Sequence, residues 1–249
     1  MSPHKSLYPF VFLLSVHSAM VHSDTVQEVT LLADEWCPYT CLPDKDKPGI
    51  LVEVGEMIFA NSQTEFNFQL INWSRAVNNV RAGKSQGLLG AYIGDAPDFI
   101  FHSHPILFSQ MCFYTKPSDS WTFTGFESLT KRVISVINGY SYGDKFDQYM
   151  VKHPSNIINI TGDKLLEREL LMLQTKRINT ILEDKFVFGK KAEEFGLVSK
   201  GCLAREGVYM AFSPANEALS TELAGWVDQE LEKLKSNGKI ELILKKYLD

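Results

Sequence analysis

Beyond its first 23 residues the chain has no apolar run approaching the ~18 residues that cross a bilayer, so the mature protein is expected to stay out of the membrane. It also lacks a basic stripe. Its 25 Lys and Arg are outnumbered by 30 Asp and Glu, giving a formal charge of −5, and no aromatic residues interleave with basic clusters. Neutralising a phosphate backbone needs such a footprint, so nucleic acid is not an expected partner. Histidine is sparse. His102 and His104 alternate along one extended stretch, and two histidines without clustered companions make a poor metal site. Repeats, low-complexity tracts and long linkers are missing too, which suits two lobes joined by crossover strands better than two tethered domains.

The 249 residues are 45% apolar and 22% charged, enough to bury one substantial core or two smaller ones. Residues 1–23 have a different character. Lys5 is their only charge besides histidines, Leu7 to Val16 is mostly apolar, and Val21-His22-Ser23 offers a cleavage site. That is the layout of a secretory signal peptide. Four cysteines, Cys37, Cys41, Cys112 and Cys202, form an even set, which in an exported chain favours disulfides. Cys37 and Cys41 flank a Pro-Tyr-Thr turn and can close a small loop, leaving Cys112 and Cys202 to pair. A metal site at the CxxxC is the rival reading, with no histidine nearby to support it.

Strand and helix patterns alternate. Val29 to Ala33 is a strand leading into the aromatic turn Asp34-Glu35-Trp36-Cys37-Pro38-Tyr39, followed by a helix over Gly49 to Asn61 and a strand over Phe66 to Ile71. Trp73 to Phe99 carries the most information. Ser74 is expected to cap a helix that Gly83 ends, with Ala76, Val77 and Val80 on its apolar face, and Gly87 to Tyr92 follows as a buried strand. Pro105 to Tyr114 reads as an extended crossover and Thr124 to Lys131 as a short helical stretch. Val133 to Ile137 and Thr180 to Leu182 read as strands; Asp144 to Lys152, Asp163 to Lys176 and Phe186 to Phe195 as helices. Val208 to Phe212 is a returning strand, and Glu222 to Ser236 and Ile240 to Tyr247 are closing helices. This order predicts an α/β fold with mainly parallel sheets flanked by helices.

Gly49-Ile-Leu-Val-Glu-Val, Trp73 to Gly83, Gly90-Ala-Tyr, Asp98-Phe, Glu127-Ser-Leu with Val133 to Ile137, and Leu182-Glu-Asp occur in an order and spacing that resemble family 3 of the type II periplasmic binding proteins. The resemblance implies two lobes with a ligand cleft and two hinge crossovers. Lobe one would comprise residues 24–112 and 213–249, and lobe two residues 113–212. It also implies a soluble, monomeric periplasmic protein that needs no cofactor or metal and hands a small solute to an inner-membrane ABC permease. One departure stands out. Amino-acid binders of this family commonly carry Thr-x-x-Arg after the second strand, whose arginine clamps the ligand carboxylate with two hydrogen bonds. Here the stretch is Ile93-Gly94-Asp95-Ala96.

The candidate ligand-binding residues are Trp36, Tyr39, Trp73, Arg75, Ala91, Tyr92, Tyr140, Ser141, Tyr142 and Asp184. The aromatics sit at strand ends and in loops, where they would wall a small-molecule cleft. Arg75 could replace the missing clamp, or pair on the surface with Asp95 or Asp98. Ser141 to Asp144 fits a capping box whose helix start offers N–H groups to an anion. Asp184 would meet a ligand ammonium or cap the helix after it. Two enzymatic readings compete with capture. Gly139-x-Ser141-x-Gly143 matches a hydrolase elbow, but the only later histidine, His153, lies about 18 Å away along a helix. The other is a cyclohexadienyl-dehydratase-like lyase with Glu183 or Asp184 as general acid. A ligand-sensing subunit is a further alternative.

Overall fold

The structure, a computed structural model, describes residues 27–42, 46–60, 62 and 64–248. The expected signal segment, residues 1–23, lies outside these. Two three-layered halves are built on one continuous run of paired strands. In the first, β1 (Gln27–Ala33) pairs in parallel with β2 (Thr64–Leu70) and β3 (Gly87–Ala91). Helix α1 (Ile50–Phe59) and helix α2 (Trp73–Arg81) cover this sheet. The short β4 (Ile100–Phe101) follows, and β5 (Leu107–Thr115) then carries the chain into the second half.

There β6 (Ile134–Ile137) pairs in parallel with β7 (Ile157–Ile160) and β8 (Thr180–Asp184), flanked by α3 (Asp144–Lys152), α4 (Leu165–Gln174) and α5 (Lys185–Glu194). The return is β9 (Val198–Phe212), after which α6 (Glu217–Ser236) and α7 (Lys239–Leu248) pack back on α1. Strand order is β2-β1-β3-β9-β5-β8-β6-β7. Pairings within each half are parallel. Among the described residues every antiparallel pairing between strands involves β5 or β9, the two strands that cross between halves. This is a two-lobed α/β fold with two crossovers.

The crossover strand β9 is longer than its apolar pattern suggests. Tyr209 to Phe212, buried except for the half-buried Tyr209, pair with β3 and β4, while Val198 to Val208, with Lys200, Arg205 and Glu206 partly or fully exposed, ladders onto β5. Pairing on one edge satisfies its backbone without an apolar face. The Cys112–Cys202 disulfide, with sulfurs 2.01 Å apart, staples β5 to β9. Cys37 and Cys41 are bonded to each other at 2.11 Å and close the aromatic turn after β1.

Caps differ in detail from the sequence pattern. Asn72, not Ser74, caps α2 by accepting from Arg75 N–H, and Ser74 Oγ instead donates to the Asn138 carbonyl of the other lobe at 3.1 Å. Helix α3 begins after Gly143 with no side-chain cap, so Ser141 and Asp144 do not form a capping box. Ser141 Oγ and Tyr142 N–H donate one turn further on, to Asp147. Gly83 adopts φ 69 just past the end of α2, the left-handed turn a helix stop needs.

Candidate functional site

Three loops converge between the lobes. The first follows β1 and carries Asp34 and Trp36; the second follows β3 and carries Tyr92 and Asp95; the third, between β6 and α3, carries Tyr140 and Ser141 from the opposite lobe. With Trp73 at the start of α2, Gly90 in β3 and Met111 in β5 they enclose a cavity of about 20 Å³, room for little more than one water. Gly90 sits at a bulge in β3 with φ 100, and a Cβ there would press on Leu51 at 3.0 Å. The glycine lets the strand end turn into the cavity.

Tyr140 Oη donates to the Asp34 carboxylate, and Ser141 N–H donates to Asp95 Oδ1 at 2.7 Å. Asp95 Oδ2 accepts from Tyr92 N–H at 2.7 Å. Two carboxylates of one lobe thus hold donors of the other. No Lys, Arg or His lines the cavity among the described residues. Burial pushes the Asp34 carboxyl up to about 6, with the Tyr140 hydrogen bond pulling it partly back. Burial likewise pushes Asp95 up to about 7, against the pull of the Ser141 and Tyr92 N–H groups. Glu183 is raised as well, by burial first and then by Glu169. Trp36 and Trp73 are 6% and 4% exposed, and neither indole N–H has a hydrogen-bond acceptor.

Of the sequence candidates, Trp36, Trp73, Tyr92, Tyr140 and Ser141 meet at this cavity. The others lie elsewhere. Arg75 is exposed and lines a surface depression with Glu28, Gln69 and Lys84, away from the cavity. Its buried helix neighbours are Trp73, Ala76, Val77 and Val80, which face the sheet. Arg81, not Arg75, pairs with Asp98, at 2.8 Å. Tyr39 is fully buried against Trp36, ring centroids 4.2 Å apart, and donates to Asp184. Ala91 is buried within the first lobe.

Asp184 is fully buried and spends its oxygens on the protein. It caps α5 through Phe186 and Val187 N–H and accepts from Tyr39 Oη, Ser109 Oγ and Gln110 N–H. The capping alternative describes it. Tyr142 lines a larger groove of about 610 Å³ with Ile93, Phe126, Glu206 and Tyr209, which adjoins the cavity and shares Tyr92 and Ser141 with it. His102 is buried, accepting from Met210 N–H, whereas His104 is exposed. His153 stacks on Tyr149 and Ser141 Oγ serves Asp147, so the Gly-x-Ser-x-Gly match builds no nucleophile–base pair.

Asp34, Gly90, Asp95 and Met111 line the site without having been singled out. Asp34 and Asp95 carry a sequence signal only in hindsight: each stands beside the aromatic or strand-end residue that does line the cleft.

The arrangement of two lobes, two crossover strands and a cleft walled by loops has close structural counterparts. The fold is that of the type II periplasmic binding proteins. A histidine kinase sensor domain with similarity to periplasmic binding proteins superposes with a TM-score of 0.74 at 18% identity, covering 90% of this chain and 97% of its own. A Salmonella typhimurium periplasmic binding protein with high arginine specificity gives 0.69 at 16% identity, over 90% and 100%. An ancestral amino acid-binding protein, a precursor of cyclohexadienyl dehydratase, gives 0.70 at 16% identity, over 89% and 95%. No protein-family model and no curated protein matches the chain in sequence. At these identities the periplasmic-binding-protein likeness carries the fold and leaves the ligand to be argued from the cleft.

Proposed function

We propose that this chain is an extracytoplasmic solute-binding protein that captures a small polar solute by closing its two lobes. The observation that carries the reading is the cleft itself: Tyr140 and Ser141 of one lobe bonded to Asp34 and Asp95 of the other, around a small cavity walled by Trp36, Trp73 and Tyr92. A solute entering there replaces cross-lobe hydrogen bonds with its own and favours the closed form by its differential contacts. Two disulfides agree with an oxidising compartment, and a monomer exported to the periplasm and serving an ABC permease fits the fold.

The lyase alternative would use Glu183 or Asp184 as the acid at the ligand, whereas the carboxyls raised by burial that line the cavity are Asp34 and Asp95. Asp184 spends its oxygens on backbone N–H groups and hydroxyls, Glu183 Oε1 accepts from Asp184 N–H, and neither residue borders the cavity. The test is a thermal-shift screen of ligand-stripped protein, followed by small-angle scattering with and without the best solute. Stabilisation with a smaller radius of gyration and no change in the solute supports capture. Turnover of the solute, or binding without closure, contradicts it.

A further inference from the structure

The cleft presents two kinds of unmet demand. Asp34 is near enough to Asp95 and to Glu183 for its charge to oppose ionisation at both, and no basic side chain lines the cavity among the described residues. On the same cavity the indole N–H groups of Trp36 and Trp73 are buried without an acceptor. The Trp73 indole leans toward Asp95 without completing a hydrogen bond. An orphaned buried donor is costly, and two on one small cavity point to an acceptor supplied from outside.

We infer that the captured solute is a small organic cation bearing a neutral hydrogen-bond acceptor and no carboxylate, such as an amino amide or amino alcohol. The inference rests on the solute-capture reading above. A cationic group satisfies Asp34 and Asp95 by displacing the Tyr140 hydroxyl and the Ser141 N–H, and the aromatic faces around them favour a cation further. A neutral oxygen takes the indole hydrogens. A ligand carboxylate in the cavity, in contrast, would be desolvated beside two others with no cation lining the cavity, since Arg75 lines a different depression over β1 and β2 and Lys145 stands in the adjoining larger groove.

Proton bookkeeping gives an independent readout. Asp34 faces Glu35 and Tyr140; Asp95 faces Asp34, Trp73 and the Ser141 and Tyr92 N–H groups. Burial keeps both carboxyls partly protonated near pH 6 in the empty closed cleft. A bound cation ionises them, so binding releases protons.

The experiment is calorimetry on the ligand-stripped full chain at pH 6, in two buffers of different ionisation enthalpy. Arginine, lysine and phenylalanine are each compared as free acid, amide and decarboxylated amine, with glutamine and glutarate as neutral and anionic controls. The expected result is an amide binding at least about tenfold more tightly than its parent acid, with proton release, and the amine lacking the acceptor in between. Asp95→Asn and Asp34→Asn should each reduce both affinity and proton release; the wild-type ranking needs neither variant to fold. A free acid that equals or exceeds its amide overturns the inference. A control that binds more tightly than every cation also overturns it while leaving capture standing, and silence from all solutes overturns both.

Discussion

Removing the Asp184 carboxylate should cost the protein much of its stability and little of its ligand recognition. The side chain is fully buried and accepts five hydrogen bonds, from Tyr39 Oη at 3.1 Å, Ser109 Oγ at 2.7 Å, Gln110 N at 3.1 Å, Phe186 N at 2.7 Å and Val187 N at 3.1 Å. Asp184→Ala leaves those donors facing a dry hole, and each orphan costs roughly 1–3 kcal/mol. Removing a buried charge returns its desolvation penalty, so the net loss settles at about 3–5 kcal/mol. For a chain of this size each kcal/mol lowers Tm by about 2–4 °C, which puts the expected fall near 10 °C. Asp184→Asn should fall about half as far, because one amide oxygen still caps α5 while the NH2 opposes the remaining donors. Calorimetric melting at pH 7 measures both. The reasoning is refuted if Asp184→Ala melts within about 3 °C of wild type, or if it abolishes solute binding at unchanged Tm.

Further expectations follow from the same geometry. Burial raises Asp34 to about 6 and Asp95 to about 7, so these carboxyls stabilise the closed, ligand-free form fully below their unfolded value near ~4 and progressively less as pH rises through 7. Glu169, pushed by burial to about 8, acts in the same direction. Tm of the empty protein should decline from pH 4.5 to 8, and Asp95→Asn should flatten that decline; an unchanged slope counts against the assignment. A Cβ on Gly94 would collide with Ser141 Oγ across the cleft. Gly94→Val should therefore hold the lobes apart, giving a larger radius of gyration in scattering with little change in Tm, whereas an unaltered profile contradicts closure at this contact. Replacing Cys112 and Cys202 together by Ala should cost roughly 2–5 kcal/mol in a denaturant melt, since the bond ties β5 to β9 across a long loop. Arg75→Ala should leave solute affinity within about twofold, because the side chain lines a different surface depression.

Elements with strong periodicity were readable from the chain. α3 spans Asp144–Lys152, where the apolar pattern placed it, and the strands after Val29 and Val133 lie within a residue or two of their patterns. What escaped depended on partners. β7 is a short edge strand whose Ile157, Ile158 and Ile160 gave no run long enough to separate it from a turn. The charged half of β9 becomes a strand because β5 supplies its hydrogen bonds, a long-range fact. Arg75 was misplaced despite a usable signal. It stands about 200° around the helix from Trp73, so a buried Trp73 already turns it outward. Asp34 looked like an ordinary turn residue and Asp95 only like part of the stretch that lacks the clamp or a partner for Arg75, and only the approach of Tyr140 and Ser141 from the other lobe gives them this role.

A crystal structure of the protein loaded with its tightest-binding solute tests the central claim most directly. Capture in the cleft predicts density between Trp36 and Trp73, with the solute's polar end within hydrogen-bond reach of Asp34 and Asp95 and the Tyr140 hydroxyl displaced from Asp34. A solute seated instead in the larger groove beside Tyr142 and Tyr209, with the Tyr140–Asp34 contact intact, would contradict it.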